Sequence, residues 1–177
     1  MDEDFQQDLV GRARRGDQDA WAKLYHGAYP RLRSYAAARV GSTGAEDLVN
    51  ETMARAVAGI DRFRWEPSGF DAWLFGILRR VCLEHLRREG RDRRGAPDLP
   101  FETSEPGDGL DLADDYQAVR IAFARLSSSE REVLELRVIS GLSAEDVGRV
   151  LRKRPGAVRT AQSRALANLR ALLGEGS

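Results

Sequence analysis

One cysteine and two histidines stand among 177 residues. With Cys82 alone, neither an internal disulfide nor a multi-cysteine zinc site can form, and a reducing compartment fits. His26 and His85 are far apart in sequence and lack companion ligands, so no metal is expected. No apolar run approaches the roughly 20 residues of a membrane-spanning helix. The acidic start MDEDFQQDL does not read as a signal peptide, which places the chain in the cytoplasm as an expectation. Phosphate-cradling glycine loops and nucleophile–base arrangements are missing, so neither catalysis nor a cofactor is expected. Alternating strand patterns are missing too, which leaves an all-α fold.

The chain also lacks net charge, with 28 Lys/Arg against 28 Asp/Glu, and that total hides a pattern. Residues 1–94 carry 17 basic against 15 acidic side chains. Residues 95–115 carry none against 7, and residues 116–177 carry 11 against 6. Basic blocks on either side of an acidic strip suggest a polyanionic partner for the ends. The strip GAPDLPFETSEPGDGLDLADD holds three prolines and three glycines and reads as a flexible linker. Two small helical domains follow, residues 1–94 and 116–177, joined by residues 95–115.

In the first domain, helices are expected from Asp8 to about Arg15, Asp19 to about Val40, Ala45 to Ile60 and Phe70 to Glu89. The third presents Leu48, Val49, Thr52, Met53, Ala56, Val57 and Ile60 as one apolar face. The fourth buries Phe70, Trp73, Leu74, Ile77, Leu78, Val81, Cys82 and Leu86, a stripe on which Cys82 is a packing residue. In the second domain a helix over Tyr116–Arg125 stops at LSSS. Ser127 or Ser129, each three residues before a glutamate, opens the next by a capping box. That helix ends at Ser140–Gly141. Ser143 caps a short helix to Leu151, and Pro155 begins the last at a position where its missing N–H costs nothing.

A short helix, a tight turn and a longer basic helix make a helix-turn-helix. On a helical wheel Val158, Ala161, Ala165, Leu166, Leu169, Leu172 and Leu173 share one arc of the last helix. Arg159, Thr160, Ser163, Arg164, Ala167 and Arg170 share the opposite arc. Guanidinium groups and short hydroxyls on one face suit the major groove. Arg152, Lys153 and Arg154, with Arg149, lie where phosphates would run. A merely solvated basic face is the competing reading of this helix taken alone.

The order of GAEDLVNETMARAVAGIDRF, FDAWLFGILRRVCLEHLRRE, a linker and LSSSEREVLELRVISGLSAEDVGRVL…PGAVRTAQSRALANLR resembles a bacterial RNA polymerase sigma factor of the extracytoplasmic-function type. The resemblance spans residues 8–94 and 116–173. It implies that the first domain binds core RNA polymerase and opens the −10 element, while the second docks on the −35 element of promoter DNA. It also implies an anti-sigma factor as a partner.

Residue by residue, the resemblance places Asp47, Asn50, Glu51 and Arg55 at the polymerase clamp, with Asn50 where the family usually has glutamine. It assigns Phe63, Trp65, Phe75, Arg79, Arg80, Arg87 and Arg88 to −10 DNA; Arg91, Arg93 and Arg94 follow. Single strands favour a cationic groove with aromatic faces, and Phe75 lies off the apolar stripe as counted from the sequence. Arg80 stands where asparagine is common. Arg152, Lys153, Arg154, Arg159, Thr160, Ser163 and Arg164 fall to −35 DNA, with Ala161 where the family often has a basic residue and Arg154 where it has a small capping one. The alternatives are a freestanding helix-turn-helix regulator and a sigma-like protein that starts no transcription.

Overall fold

The structure is a computed structural model that describes residues 3–65, 69–92 and 110–174, all of its regular structure helical. Helix α1 spans Glu3–Arg14, α2 Gln18–Val40, α3 Ser42–Gly59 and α4 Gly69–Asp92. Asp17 caps α2 by accepting from the Ala20 N–H at 3.1 Å, and Arg12 holds that carboxylate at 2.8 Å. The break before it uses Gly16 at φ 85°, where a side chain would be strained. A single 3-10 turn, Ile60–Arg62, ends α3. The core of this first domain is fully buried Leu9, Leu24, Leu32, Tyr35, Val49, Phe70, Leu74 and Leu78. Each such aliphatic or aromatic side chain contributes about 1.5–3 kcal/mol on burial.

Two expectations are corrected here. Val57 is 50% exposed, because it sits at the edge of the apolar arc of α3. Helix α1 begins five residues earlier than Asp8, with Glu3 and Asp4 in its first turn, where the helix dipole favours acid.

In the second domain α5 spans Leu110–Arg125, α6 Ser128–Leu134, α7 Ala144–Leu151 and α8 Pro155–Gly174. Helix α5 begins six residues before Tyr116, inside the strip read as linker. Gly109 is the last glycine or proline before it, so nothing in the backbone chemistry stops a helix there. The rest of the acidic strip lies outside the described residues. Of the two candidate caps, Ser127 is used: its hydroxyl accepts from the Glu130 N–H at 3.3 Å, and Glu130 accepts from the Ser127 N–H at 3.0 Å. Ser143 and Asp146 form the equivalent box at α7, at 3.0 and 3.2 Å. A wider π turn, Glu135–Ile139, continues α6.

Between α7 and α8 the chain turns sharply at Arg152, in the left-handed region at φ 55°. The turn crosses Gly148 so closely that a Cβ there would lie 2.6 Å from the Lys153 carbonyl oxygen. Phe123, Leu126, Leu134 and Ala165 form a small core between α5, α6 and α8.

The two domains pack against each other. Leu136, Leu142, Ala144, Val147 and Val158 join the core of the first domain, where α7 lies on α4 and the π turn lies on α2. Arg39 of α2 reaches Glu135 at 2.6 Å and Glu132 at 3.0 Å, and Arg79 of α4 reaches Glu132 at 2.9 Å. The Arg39–Glu135 contact is a close charge pair rather than an aligned hydrogen bond, since neither facing atom meets hydrogen-bond geometry. Arg31 adds a donated bond to the Ser140 carbonyl at 2.8 Å and a pair with Asp71.

Candidate nucleic-acid and partner surfaces

Helix α8 divides as its wheel predicts. Val158 and Ala165 are buried, while Ala161, Leu166, Leu169, Leu172 and Leu173 are half-buried. Arg159, Thr160, Ser163, Arg164, Ala167 and Arg170 are all exposed. Thr160 donates its hydroxyl to the Gly156 carbonyl at 3.1 Å. Arg159 pairs with Glu145 of α7 at 3.0 Å, an exposed contact that water screens. That pair also draws the Glu145 carboxyl below its usual range, after the larger effect of a backbone hydrogen bond. Arg152, Lys153 and Arg154 are exposed on the turn before α8. The seven residues expected at −35 DNA, Arg152, Lys153 and Arg154 of the turn and Arg159, Thr160, Ser163 and Arg164 of α8, are thus all exposed.

On α3, Asp47, Asn50 and Glu51 are exposed and lie along one face. Arg55 does not hang free from it. It is half-buried, donating to Glu51 at 2.7 Å and to Glu84 of α4 at 2.8 Å. Hydrogen bonds to Glu84 and then Glu51 raise the guanidinium's pKa, and the bond to Arg55 holds Glu84 low. Glu84 is a member of this face that the sequence did not flag, because α3 and α4 meet only in the fold. Tyr25 of α2 lies beside it, its hydroxyl 3.5 Å from the Asn50 side-chain oxygen, with Tyr29 stacked behind at 5.2 Å between centroids.

The α4 region departs furthest from expectation. Phe75 is only 1% exposed and packs edge-on against Tyr35 at 5.9 Å, so it offers no face to a base. Phe63 is 3% exposed, wedged among Trp65, Phe70 and Trp73. Arg79 points into the domain interface, where Glu132 holds it. Trp65 and Trp73 are half-buried, and Arg80, Arg87 and Arg88 are exposed. Arg93 and Arg94 lie outside the described residues. Cys82 is buried, which pushes its thiol up to about 12 and leaves it inert at neutral pH.

Two sequence families match these halves: sigma-70 region 2 over residues 24–92 and sigma-70 region 4 over residues 116–169. The ECF RNA polymerase sigma factor BldN of Streptomyces coelicolor is 32% identical over 94% of this chain. The match spans 65% of BldN's own length. ShbA of Streptomyces griseus, another ECF RNA polymerase sigma factor, is 32% identical over 93% of each chain. Among solved structures, the sigma factor RpoE of Bartonella quintana, in complex with the anti-sigma factor NepR, superposes with a TM-score of 0.70 and 31% identity. It covers 86% of this chain and 96% of that one.

Both halves, in this order, with a helix-turn-helix closing the chain, define a DNA-binding subunit of transcription initiation. The chain belongs to the RNA polymerase sigma factors, in their ECF type.

Proposed function

We propose that this sigma factor works as a two-handed adaptor. The face of Asp47, Asn50, Glu51 and Arg55, with Glu84 and Tyr25 beside it, grips a basic surface of core RNA polymerase. Exposed carboxylates and amides at helical spacing form charge-assisted hydrogen bonds with such a surface. Helix α8 enters the major groove of the −35 element with Arg159, Thr160, Ser163 and Arg164, while Arg152, Lys153 and Arg154 hold phosphates. At the −10 element, Arg80, Arg87 and Arg88 supply the cationic track for single-stranded DNA, and Trp65 supplies the half-exposed aromatic face. Phe63 and Phe75 support that surface from below. Arg79 joins it only by exchanging Glu132 for a phosphate.

The observation that carries this reading is the exposed face of α8, cationic and hydroxyl-bearing along its length with no acidic side chain on the helix. Chemistry is left to the polymerase, and the work is placed in the cytoplasm, where the polymerase acts. No described helix is long and apolar enough to cross a membrane. An anti-sigma factor is proposed as the regulator, on the strength of the RpoE complex with NepR.

A pair of substitutions separates the two hands. Arg159→Ala should lower promoter-dependent transcription about 10- to 100-fold, the loss of one guanidinium–base contact, with core binding unchanged. Asp47→Ala should weaken core binding in a pull-down while isolated −35 duplex binding persists. If Arg159→Ala transcribes normally, α8 is not the reading helix.

A further inference from the structure

The docked domains enclose a cleft of about 610 Å³ that neither domain forms alone. Arg62, Arg64, Arg79 and Arg80 line it from the first domain, and Arg149 and Arg152 from the turn region of the second. Among the described residues that line it there is no aspartate or glutamate. Arg79 is partly neutralised by Glu132; Arg62, Arg64, Arg80 and Arg152 are exposed, Arg64 donating to the Asp61 and Phe63 carbonyls and Arg80 to the Gly76 carbonyl. Trp73, half-buried, forms part of the wall.

Six arginines around one opening make a cationic surface, and an anion bound between them lowers their mutual repulsion. The volume lies within the range of small-ligand sites. A DNA duplex, whose major groove alone is about 12 Å wide, is far too bulky to enter. A single phosphate carries too little charge to serve arginines on both walls. A short chain of phosphates supplies several charges in a compact body, each phosphate matching the planar fork of an arginine.

We propose that this interdomain cleft binds a small oligophosphate — the triphosphate or longer chain of a nucleotide, or an inorganic oligophosphate — and that its binding holds the two domains docked. Arginines that the promoter reading assigns to DNA, Arg80 and Arg152 among them, then serve the ligand instead, so the two uses exclude each other.

Calorimetry on the full chain at fixed salt tests this with inorganic phosphate, inorganic tripolyphosphate and adenosine triphosphate as probes. Tripolyphosphate is expected to bind one to one, at least tenfold more tightly than phosphate. If adenosine triphosphate quenches tryptophan fluorescence and binds more tightly still, the base contributes and the natural ligand is a nucleotide; equal affinities identify the phosphate chain as the whole ligand. Arg62→Ala and Arg152→Ala, one from each wall, should each weaken tripolyphosphate binding at least fivefold. Arg170→Ala, an exposed arginine outside the cleft, should leave it unchanged. The radius of gyration in solution should fall or stay constant on saturation.

Equal weakening by Arg170→Ala would show non-specific charge attraction and overturn the proposal. So would failure of tripolyphosphate to saturate. A single-stranded oligonucleotide that binds more tightly than tripolyphosphate with the same Arg62 and Arg152 dependence would also overturn it, reassigning the cleft to nucleic acid.

Discussion

Glu135 titrates far from where an exposed carboxylate does. Burial raises its pKa to about 7, against the attraction of Arg39, with Glu132 adding to the rise and Arg131 opposing it. The folded protein therefore keeps a proton that the unfolded chain releases near 4.5. A raised carboxyl favours the fold at low pH, and that contribution is lost as pH climbs from about 4.5 through about 7. The span is on the order of 3 kcal/mol. Glu135→Gln should thus shrink the difference in melting temperature between pH 5 and pH 8; an unaltered difference would mean that this carboxyl is solvated. At this scale the sequence was only partly legible. The stripe of α8 was readable because one side of that helix packs and the other meets water. Helix α4 is covered on several sides, by α2 through Tyr35 and by the second domain through α7. A single-stripe wheel therefore placed Phe75 outside a core that encloses it.

Among the elements, the turn between α7 and α8 is the most tightly specified. Gly148→Ala would drive a methyl into the Lys153 carbonyl, which is backbone and cannot swing aside. Forcing that contact costs about 1–3 kcal/mol or more and displaces Arg152 and α8 together. Thermal unfolding should show the loss, and −35 duplex affinity should fall with it; a variant of full stability and affinity would mean the turn relaxes freely. Ser143→Ala removes half of a capping box and should cost about 1 kcal/mol in the same melt. Caps, breaks and the helix-turn-helix were legible because they depend on neighbours within four residues. The early starts of α1 and α5 were not, since both lie in polar stretches where no apolar period marks a boundary.

For the whole molecule, the docking of the two domains was the feature least visible in the sequence. Arg39 and Arg79 meet Glu132 and Glu135 only because the chain returns more than 50 residues later. Nothing local distinguishes these four from solvated charges. Glu132→Arg would set a third cation against Arg39 and Arg79 and should undock the domains, read as a larger radius of gyration by small-angle scattering; an unchanged radius would show that apolar packing alone holds them. Docking ties Arg79 to Glu132, so the −10 contact proposed for Arg79 requires that pair to separate. The most direct measurement is to reconstitute the chain with core RNA polymerase and sequence the 5′ ends of the transcripts. Start sites preceded by two shared, regularly spaced elements, and lost with Arg159→Ala, are the predicted result. Transcripts that begin at the same places with and without the protein would contradict it.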